Sequence, residues 1–556
     1  MDVKRVILFA ALALISYVLV LQWNEDYGTK PPAPQTQTSV SAYSDPNGSE
    51  LPSAETAVSG EVSADVPATA SETQQGKAQL ISVHTDLLNV VIDTKGGDII
   101  QVALPQYKVT AGSEQPFVLL EQNSNRTYVA QSGLVGANGP DAAKSGRPTY
   151  SVAATEFDLG DKDSINVDLN FTDASGVKVT KRYSFTRDSY QIGMEYIVDN
   201  PSAQAWSANL FGQIKRDGSG DPSATNNMGM KSYLGAIFST EENNYQKVDF
   251  GDIDDGDFKQ RSPDGWVAMV QHYFVSAWIP APGAEYTYST RKLNGNYIAG
   301  FISPTLTVQP GQQQSVSATF YAGPKDQEQL AAAQEDLKLT VDYGWLWWIA
   351  SPLHMLLTWI HSLVGNWGLA IICITVLVKA ALFQLNAKAF KSMAKMRKFG
   401  PEMQRMKELY GDDRQKMSQE MMKLYQKEKI NPLGGCLPIV AQMPIFIALY
   451  WVLMESVELR QASFLYLTDL SLKDPFFILP ILMGVSMFIQ QSLNPAPPDP
   501  MQAKIMKMLP IVFTFFFLWF PAGLTLYWVV NNVLSIAQQY IINKQIEGGT
   551  ADAKAG

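Results

Sequence analysis

The 556-residue chain has few of the residue types from which catalytic and metal centres are usually built. Its two cysteines, Cys373 and Cys436, lie in apolar stretches, which excludes a disulfide framework and a zinc or iron–sulfur site made of cysteine clusters. The four histidines are scattered, and neither an HExxH motif nor a GxxxxGK(S/T) phosphate-binding loop occurs. We therefore expect a protein that needs no metal or cofactor and is not an enzyme.

Charge is also scarce, and it is unevenly distributed along the chain. Charged residues make up 17% of the sequence and hydrophobic residues 46%, with a net charge of −10. Residues 22–343 hold 22 basic and 39 acidic side chains, whereas the rest of the chain holds 21 and 14. This separation predicts compartments with different surroundings, which the mean hydropathy of −0.06 conceals.

The N-terminus predicts a membrane anchor followed by a tether. The stretch 6–21 is almost wholly apolar and follows Lys4 and Arg5, and no A-x-A cleavage pattern comes after it. We interpret residues 1–22 as an uncleaved transmembrane anchor whose N-terminus stays in the cytoplasm. Residues 23–79 are rich in Pro, Ser, Thr and Gln, which predicts a flexible tether outside the membrane.

Residues 80–340 predict a large all-β sandwich domain. Apolar and polar residues alternate there, as in the strand-like run from Ile165 to Phe171, and turn signals recur between such runs. The segment 326–339 predicts one helix that closes the domain. The acidic stretch 249–257 lacks the residue order of a calcium loop, so we interpret it as a solvated loop. Because no acid–base–nucleophile pattern is recognisable, we expect this domain to be largely dispensable for the protein's main activity.

The C-terminal part predicts a polytopic membrane domain. The tryptophan-rich segment 341–361 is typical of an amphipathic helix at the membrane interface. Apolar stretches predict spans at 362–385 and 431–455 and three more within 475–542, which makes six with the anchor. The loop 386–430 carries twelve basic and six acidic residues and is expected in the cytoplasm, the loop 456–474 outside, and the tail 543–556 inside.

The cytoplasmic loop 386–430 predicts a hairpin of two antiparallel helices. Four methionines recur at helical spacing and share one face: Met393, Met396, Met403 and Met406. They either pack the hairpin or form an adaptable surface that captures varied apolar partners.

One cation interrupts the second predicted span. Lys379 lies about 13 Å along a helix from Lys388, and a charge at such depth costs about 2.5–3.5 kcal/mol. No acidic residue lies in the central part of any span to neutralise it, and snorkelling would need a long reach. Other polar residues lie at comparable depth: Thr375, Gln442, Asn531, Asn532 and Ser535. Each could make one helix–helix hydrogen bond, but together they predict a hydrated groove.

Several stretches of this domain resemble one known family. GNWGLAIICITVLVKAALFQL, NPLGGCLPIVAQMPIF and FFFLWFPAGLTLYWVVNN are similar to the YidC family of membrane protein insertases, and the similarity covers most of residues 343–542. The anchor and external β domain resemble the Gram-negative form. The resemblance implies a five-helix insertase core, a β-supersandwich akin to sugar mutarotases, and a hydrophilic groove open to the cytoplasm and the lipid.

The resemblance also assigns roles to residues. The family's groove cation falls on Lys379, where arginine is common, and its substrate contacts fall on Met443, Phe446, Tyr527 and Trp528. Expected partners are nascent inner-membrane proteins, the Sec translocon with its accessory subunits, the ribosome, the signal-recognition-particle receptor and membrane lipids, but no nucleic acid. The expected location is the bacterial inner membrane, with several spans, both termini cytoplasmic and the large domain periplasmic.

The expected function is therefore that of a membrane protein insertase and folding chaperone, which moves transmembrane segments from the cytoplasm into the bilayer alone or with the Sec translocon. Two alternative functions belong to other classes of protein. A small-solute transporter would favour paired half-repeats and coupling acids within the spans, and the sequence has neither. An envelope scaffold with a carbohydrate-binding β domain would not need Lys379.

Overall fold

A computed structural model describes residues 52, 79–143, 146–224, 232–410, 413–427, 437–494 and 500–552. The chain divides into two compact units, which we call the β unit and the helical unit. Among the described residues, the β unit lies within Gly48–Ser351 and Ala448–Ser471, and the helical unit lies within Pro352–Ile447 and Leu472–Gly556. The predicted anchor, nearly all of the predicted tether and the last four residues of the tail lie outside the described residues.

The β unit is built from nineteen strands in the part of the chain that is described. In chain order they are β1 (Leu80–His84), β2 (Asn89–Asp93), β3 (Asp98–Lys108), β4 (Pro116–Gln122), β5 (Thr127–Val135), β6 (Ser151–Val152), β7 (Glu156–Asp158), β8 (Ser164–Thr172), β9 (Lys178–Thr186), β10 (Gln191–Asn200), β11 (Trp206–Arg216), β12 (Gly235–Ser239), β13 (Gln246–Asp249), β14 (Lys259–Ser262), β15 (Trp266–Val270), β16 (Phe274–Pro280), β17 (Tyr286–Leu293), β18 (Asn296–Val308) and β19 (Gln312–Pro324).

The strands form two sheets that face each other. The ten-stranded sheet has the order β14-β17-β18-β11-β5-β4-β3-β2-β1-β7, and the nine-stranded sheet has the order β13-β12-β15-β16-β19-β10-β9-β8-β6. Pairing is antiparallel except between β1 and β7. The Tyr128 hydroxyl on β5 lies 2.8 Å from the Ser276 hydroxyl on β16, and the Trp278 indole N–H donates to the Gln213 carbonyl on β11 at 3.1 Å. The prediction of a large all-β sandwich is confirmed.

The alternation in the sequence decides which side chains enter the core. Val167 and Leu169 of β8 are fully buried, while the residues on either side of each are more exposed. Successive side chains of a strand point to opposite faces, so a period of two places one apolar set between the sheets.

Two local predictions in the β unit were wrong. The acidic stretch is not a loop but begins with a short helix, α1 (Phe250–Asp255), because the Asp249 carboxylate accepts the backbone N–H of Asp252 at 2.7 Å and caps it. The predicted closing helix is divided into α2 (Gln327–Ala333) and a 3₁₀ segment, Glu335–Thr340. The division falls at Gln334, whose backbone is extended (φ −159°, ψ 130°) and whose N–H donates to the Leu330 carbonyl at the end of α2.

Nine further helices follow. They are α3 (Trp347–Val364), α4 (Trp367–Ala381), α5 (Phe383–Lys398), α6 (Gly400–Tyr410), α7 (Arg414–Lys427), α8 (Leu437–Glu455), α9 (Ile478–Ser492), α10 (Pro500–Phe517) and α11 (Ala522–Asp552) in the described part of the chain. By length and composition, none of the described helices is alone both long and apolar enough to cross a membrane. One pair of consecutive helical segments is long and apolar enough when taken together, and it bends by 66° between Trp367–Ala381 and Phe383–Ala394. The number of spans stays a prediction.

The predicted hairpin consists of three helical pieces rather than two. The first piece, α5, ends before a turn at Phe399, and α6 begins with Gly400 and Pro401. Glycine is a poor helix former and proline fits only the first turn of a helix, so this dipeptide ends one helix and starts another. Residues 411–412 and 428–430 of the predicted loop lie outside the described residues.

Candidate functional site

The helical unit encloses a half-open groove of about 300 Å³. Side chains from α4, α5, α8, α9, α10 and α11 line it. The groove combines polar side chains with methionines and aromatic rings, and none of the described residues that line it is acidic.

Lys379, near the C-terminal end of α4, occupies the polar part of this groove. Its side chain is largely buried, with the residue 8% exposed, and the ammonium donates to Ser535 Oγ at 2.7 Å and to Gln442 Oε1 at 3.3 Å. Gln442 Nε2 in turn donates to Asn531 Oδ1 at 2.5 Å. The network therefore joins α4, α8 and α11 around one positive charge.

The charge of Lys379 is not neutralised inside the described structure. Its two hydrogen-bond partners, Ser535 and Gln442, are neutral, and no described carboxylate forms an ion pair with it. An ammonium has three N–H donors, so one remains available among the described contacts. The groove thus offers a cation that can still bind an anionic group.

The contact between Lys379 and Ser535 has the residue types of a serine–lysine catalytic dyad, but its hydrogen bonds run in the wrong direction. The Ser535 hydroxyl donates to the Asn531 carbonyl at 2.7 Å, one turn earlier on the same helix. Its oxygen therefore accepts from Lys379, which acts as a donor and not as a base. The arrangement can bind and orient an anion, and it does not activate the serine.

The other end of the groove is aromatic and apolar. The ring of Phe446 on α8 lies 4.8 Å from that of Trp528 and 6.2 Å from that of Tyr527, both on α11. Met443, one turn before Phe446, is 44% exposed and lines the same wall. This end can contact an apolar segment, whereas the Lys379 end can contact a polar one.

The structure brings most of the predicted groove residues together. Those that line the groove are Lys379, Gln442, Met443, Phe446, Tyr527, Trp528, Asn531, Asn532 and Ser535. Asn532 also ties α11 to α9, because its amide donates to Ser486 Oγ at 3.0 Å. Thr375 does not line the groove: it is buried, and its hydroxyl donates to the Ile371 carbonyl of its own helix at 2.6 Å.

The four methionines that were predicted to share one face of the hairpin do not all lie at the groove. Met393 on α5 lines the groove, whereas Met396 and Met406 are half-buried elsewhere in the helical unit. The side chain of Met403 lies outside the described part of the chain.

Several groove residues were missed by sequence reasoning. They are Asn386, Phe390, Met487, Gln490, Gln491, Asn494, Met506, Leu509 and Pro510. The pair Gln490–Gln491 at the end of an apolar helix was a usable signal, since carboxamides are costly in hydrocarbon. Asn386 and Phe390 were assigned to the hairpin, and only the bend after α4 shows that they return to the groove.

Comparisons with known proteins agree along the whole chain. Residues 80–356 match the family model of the YidC periplasmic domain, and residues 359–549 match that of the 60Kd inner membrane protein. The membrane protein insertase YidC of Marinomonas sp. (strain MWYL1) is 55% identical over 553 residues, which cover 98% of this chain and 100% of that protein. The protein of the same name from Pseudomonas fluorescens (strain SBW25) is 54% identical over 566 residues, which cover 100% of both.

A solved structure, described as an active YidC insertase with the first transmembrane domain resolved, has a TM-score of 0.38 and 17% identity to this chain, and covers 84% of this chain and 93% of its own. The two family models and the full-length relatives at more than half identity lead to one conclusion: the chain belongs to the YidC family of membrane protein insertases.

Proposed function

We propose that this chain inserts transmembrane segments into the bacterial inner membrane through the groove around Lys379. The observation that carries the proposal is an unneutralised, buried ammonium beside an aromatic wall in one half-open cavity. Family membership supports the same function and confirms that the protein is an insertase rather than an enzyme.

The polar end of the groove holds the substrate's hydrophilic tail. Carboxylates in such a tail are attracted to the free N–H of Lys379. A pair of opposite charges about 4 Å apart gains roughly 4 kcal/mol at an effective dielectric near 20, before desolvation. Such an interaction holds a tail transiently without trapping it, and the surrounding carboxamides supply donors and acceptors to its backbone.

The substrate's own apolar segment drives release into lipid. Each Leu or Ile that enters the bilayer contributes about 0.3–0.6 kcal/mol, so a segment of many such residues contributes several kcal/mol in total. The apolar segment first contacts Met443, Phe446 and Trp528 at the aromatic end of the groove. No covalent step and no nucleotide is needed for this sequence of events.

The hairpin is proposed to capture incoming chains. Met393 belongs to the first hairpin helix and also lines the groove, so captured segments have a short path from one to the other. The excess of basic residues in 386–430 supports docking of acidic partners, for which we propose the ribosome and the receptor of the signal-recognition particle.

For topology we propose six spans, both termini in the cytoplasm, and the β domain in the periplasm. The support is the distribution of loop charges, with twelve basic and six acidic residues in 386–430. Cooperation with the Sec translocon and contact with membrane lipids are part of the same proposal.

Site-specific photocross-linking in intact membranes tests the groove as the insertion site. A photoreactive residue is placed at Met487, which lines the groove, or at Val485 on the same helix, which is 52% exposed and does not line it. Ribosome-bound nascent chains of an inner-membrane protein are expected to cross-link from position 487 and much less from position 485. Equal cross-linking from both positions would reject the groove, and no cross-linking from either would favour a transporter or a scaffold.

A further inference from the structure

The end of α8 and the loop after it pack into the β domain. Residues 448–471 belong to the β unit, although 437–447 of the same helix belong to the helical unit. At the last residue of α8, Glu455 Oε2 lies 2.6 Å from Lys325 Nζ, and the two side chains are 4% and 1% exposed. The remaining Glu455 oxygen accepts from the Ser232 hydroxyl at 2.9 Å, and Lys325 also donates to the Thr340 carbonyl at 3.3 Å.

This ion pair joins parts of the chain that are 130 residues apart in sequence. Lys325 directly follows the last strand of the sandwich, and Glu455 ends a helix of the proposed membrane domain. A buried ion pair tolerates little change in geometry, because the charge that remains after loss of its partner stays desolvated and uncompensated. The pair therefore specifies one position of the helix end on the β domain.

Two further side chains hold the same segment. The His272 ring donates its Nε2 proton to the Met454 carbonyl at 2.9 Å, since a carbonyl can only accept. In the following loop, Arg460 donates to the Lys108 carbonyl at 2.8 Å and lies over the ring of Phe117 at 5.2 Å. The segment is thus attached at several separate points of the sandwich.

Gln442, Met443 and Phe446, which line the groove, lie earlier on α8, and Pro444 lies among them. We propose that the ion pair of Lys325 and Glu455 is a latch that holds the C-terminal end of α8 and the loop after it on the β domain, and that insertion of a substrate requires this latch. This inference rests on the proposed function for its activity readout, but not for its structural readout.

Charge-removal variants in the full-length protein in lipid vesicles test the latch. The single variants Lys325→Met and Glu455→Gln each leave one buried group unpaired, whereas the double variant Lys325→Met/Glu455→Leu replaces the pair by apolar side chains. Lys292→Met is the matched control, because it breaks the exposed ion pair with Asp254 in the same domain. Hydrogen exchange of residues 448–471 and the insertion rate of a model substrate are measured for each variant.

Each single variant is expected to exchange roughly tenfold faster in residues 448–471 and to insert substrate several-fold more slowly. The double variant should recover the hydrogen exchange and the insertion rate of the unmodified protein. The control variant Lys292→Met should change neither of these two quantities. Unchanged hydrogen exchange in the single variants would overturn the latch, and faster exchange with unchanged insertion would overturn its role in insertion.

Exchange in β9 and β10 reports whether the sandwich itself is folded. If the single variants unfold it, the double variant decides: recovery of fold and insertion supports the latch, and failure of both overturns it. Failure of the unmodified protein to insert substrate would reject the proposed function, while the exchange of residues 448–471 would still test the latch separately.

Discussion

Lys379 donates to Ser535 and Gln442, which leaves one N–H of its ammonium without a partner among the described contacts. We expect Lys379→Arg to retain most insertion activity, because the charge remains. Lys379→Glu should reduce insertion of a substrate with an acidic tail to below roughly a tenth, since a like charge then faces the tail. Insertion is measured by protease protection of the tail in vesicles.

A substrate with an uncharged tail is the first control, and it should suffer less from Lys379→Glu. Gln442→Glu is a matched variant, since it places a carboxylate beside the ammonium and should also slow acidic tails, whereas Gln442→Met should not do so selectively. Equal loss for acidic and uncharged tails, with each variant folded at normal abundance, would leave Lys379 only a structural or hydrating role.

His272 gives the attachment of α8 a pH dependence. Burial lowers the pKa of His272 below its ordinary value of about 6.5. The positive charge of Lys325 lowers this pKa further, whereas the negative charges of Glu455 and Asp221 raise it. A lowered pKa means that the folded state prefers the neutral ring. The stabilisation is therefore complete above about pH 6.5 and is lost as the pH falls through the lowered pKa.

We accordingly expect hydrogen exchange of residues 448–471 to accelerate between pH 7 and pH 5, after correction for the intrinsic pH dependence of exchange. His272→Gln keeps a donor for the Met454 carbonyl and does not titrate, so it should remove much of this acceleration. An unchanged pH profile in that variant would assign the effect to other groups.

At the residue scale the sequence shows which side chains are unusual but not where they point. Lys379 was identifiable because it is a single charge in an apolar run. Thr375 lies one turn away and was predicted beside it, yet its hydroxyl is bound to its own helix. The pair of Lys325 and Glu455 was not predicted, since nothing in either local sequence indicates a partner 130 residues away.

At the scale of elements, α9 and α10 approach closely at a glycine. A Cβ atom added at Gly484 would lie 2.0 Å from Thr514 Oγ1. Gly484→Ala should therefore destabilise the protein by about 1–3 kcal/mol through overpacking, and Thr514→Ala in the same chain should relieve part of it. Thermal unfolding of the purified protein measures both.

Gly400→Ala is the matched control for this prediction, because an added Cβ there meets nothing within 4 Å and alanine favours a helix. It should leave stability unchanged or slightly raised. A Gly484→Ala variant as stable as this control would show that the two helices do not depend on their close contact.

The hairpin helices α6 and α7 are expected to serve capture rather than stability. Deleting residues 395–425 should leave the remaining helices and the β domain folded, because the groove is lined by other segments. Substrate insertion should stop, since the capture surface is lost. Circular dichroism and membrane abundance check the fold, and normal insertion by the deletion variant would contradict the role.

Strands were predictable where apolar and polar residues alternate regularly along the sequence. The alternation from Ile165 to Phe171 predicts β8, and the turn residues between such runs predict a sandwich. The bend of 66° after Ala381 was not predicted, because no proline or glycine marks it. It arises at Leu382, which directly follows α4, and it turns Asn386 and Phe390 toward the groove.

At the scale of the whole molecule, the sequence predicts that the external domain is largely dispensable, since no chemistry is recognisable in it. The proposed latch makes the opposite prediction, because the C-terminal end of α8 is buried within the β unit. Long-range attachments of this kind depend on three-dimensional placement and leave no local pattern in the sequence.

We expect this chain alone to move a substrate tail across a bilayer, using a groove cation and the substrate's own apolar segment. Purified full-length protein in sealed lipid vesicles, without nucleotide, is given a newly synthesised small membrane protein with an acidic tail. We predict that the tail becomes protected from external protease in these vesicles, but not in empty vesicles or in those with Lys379→Glu. No protection above empty vesicles, or protection that requires added ATP, would contradict the account.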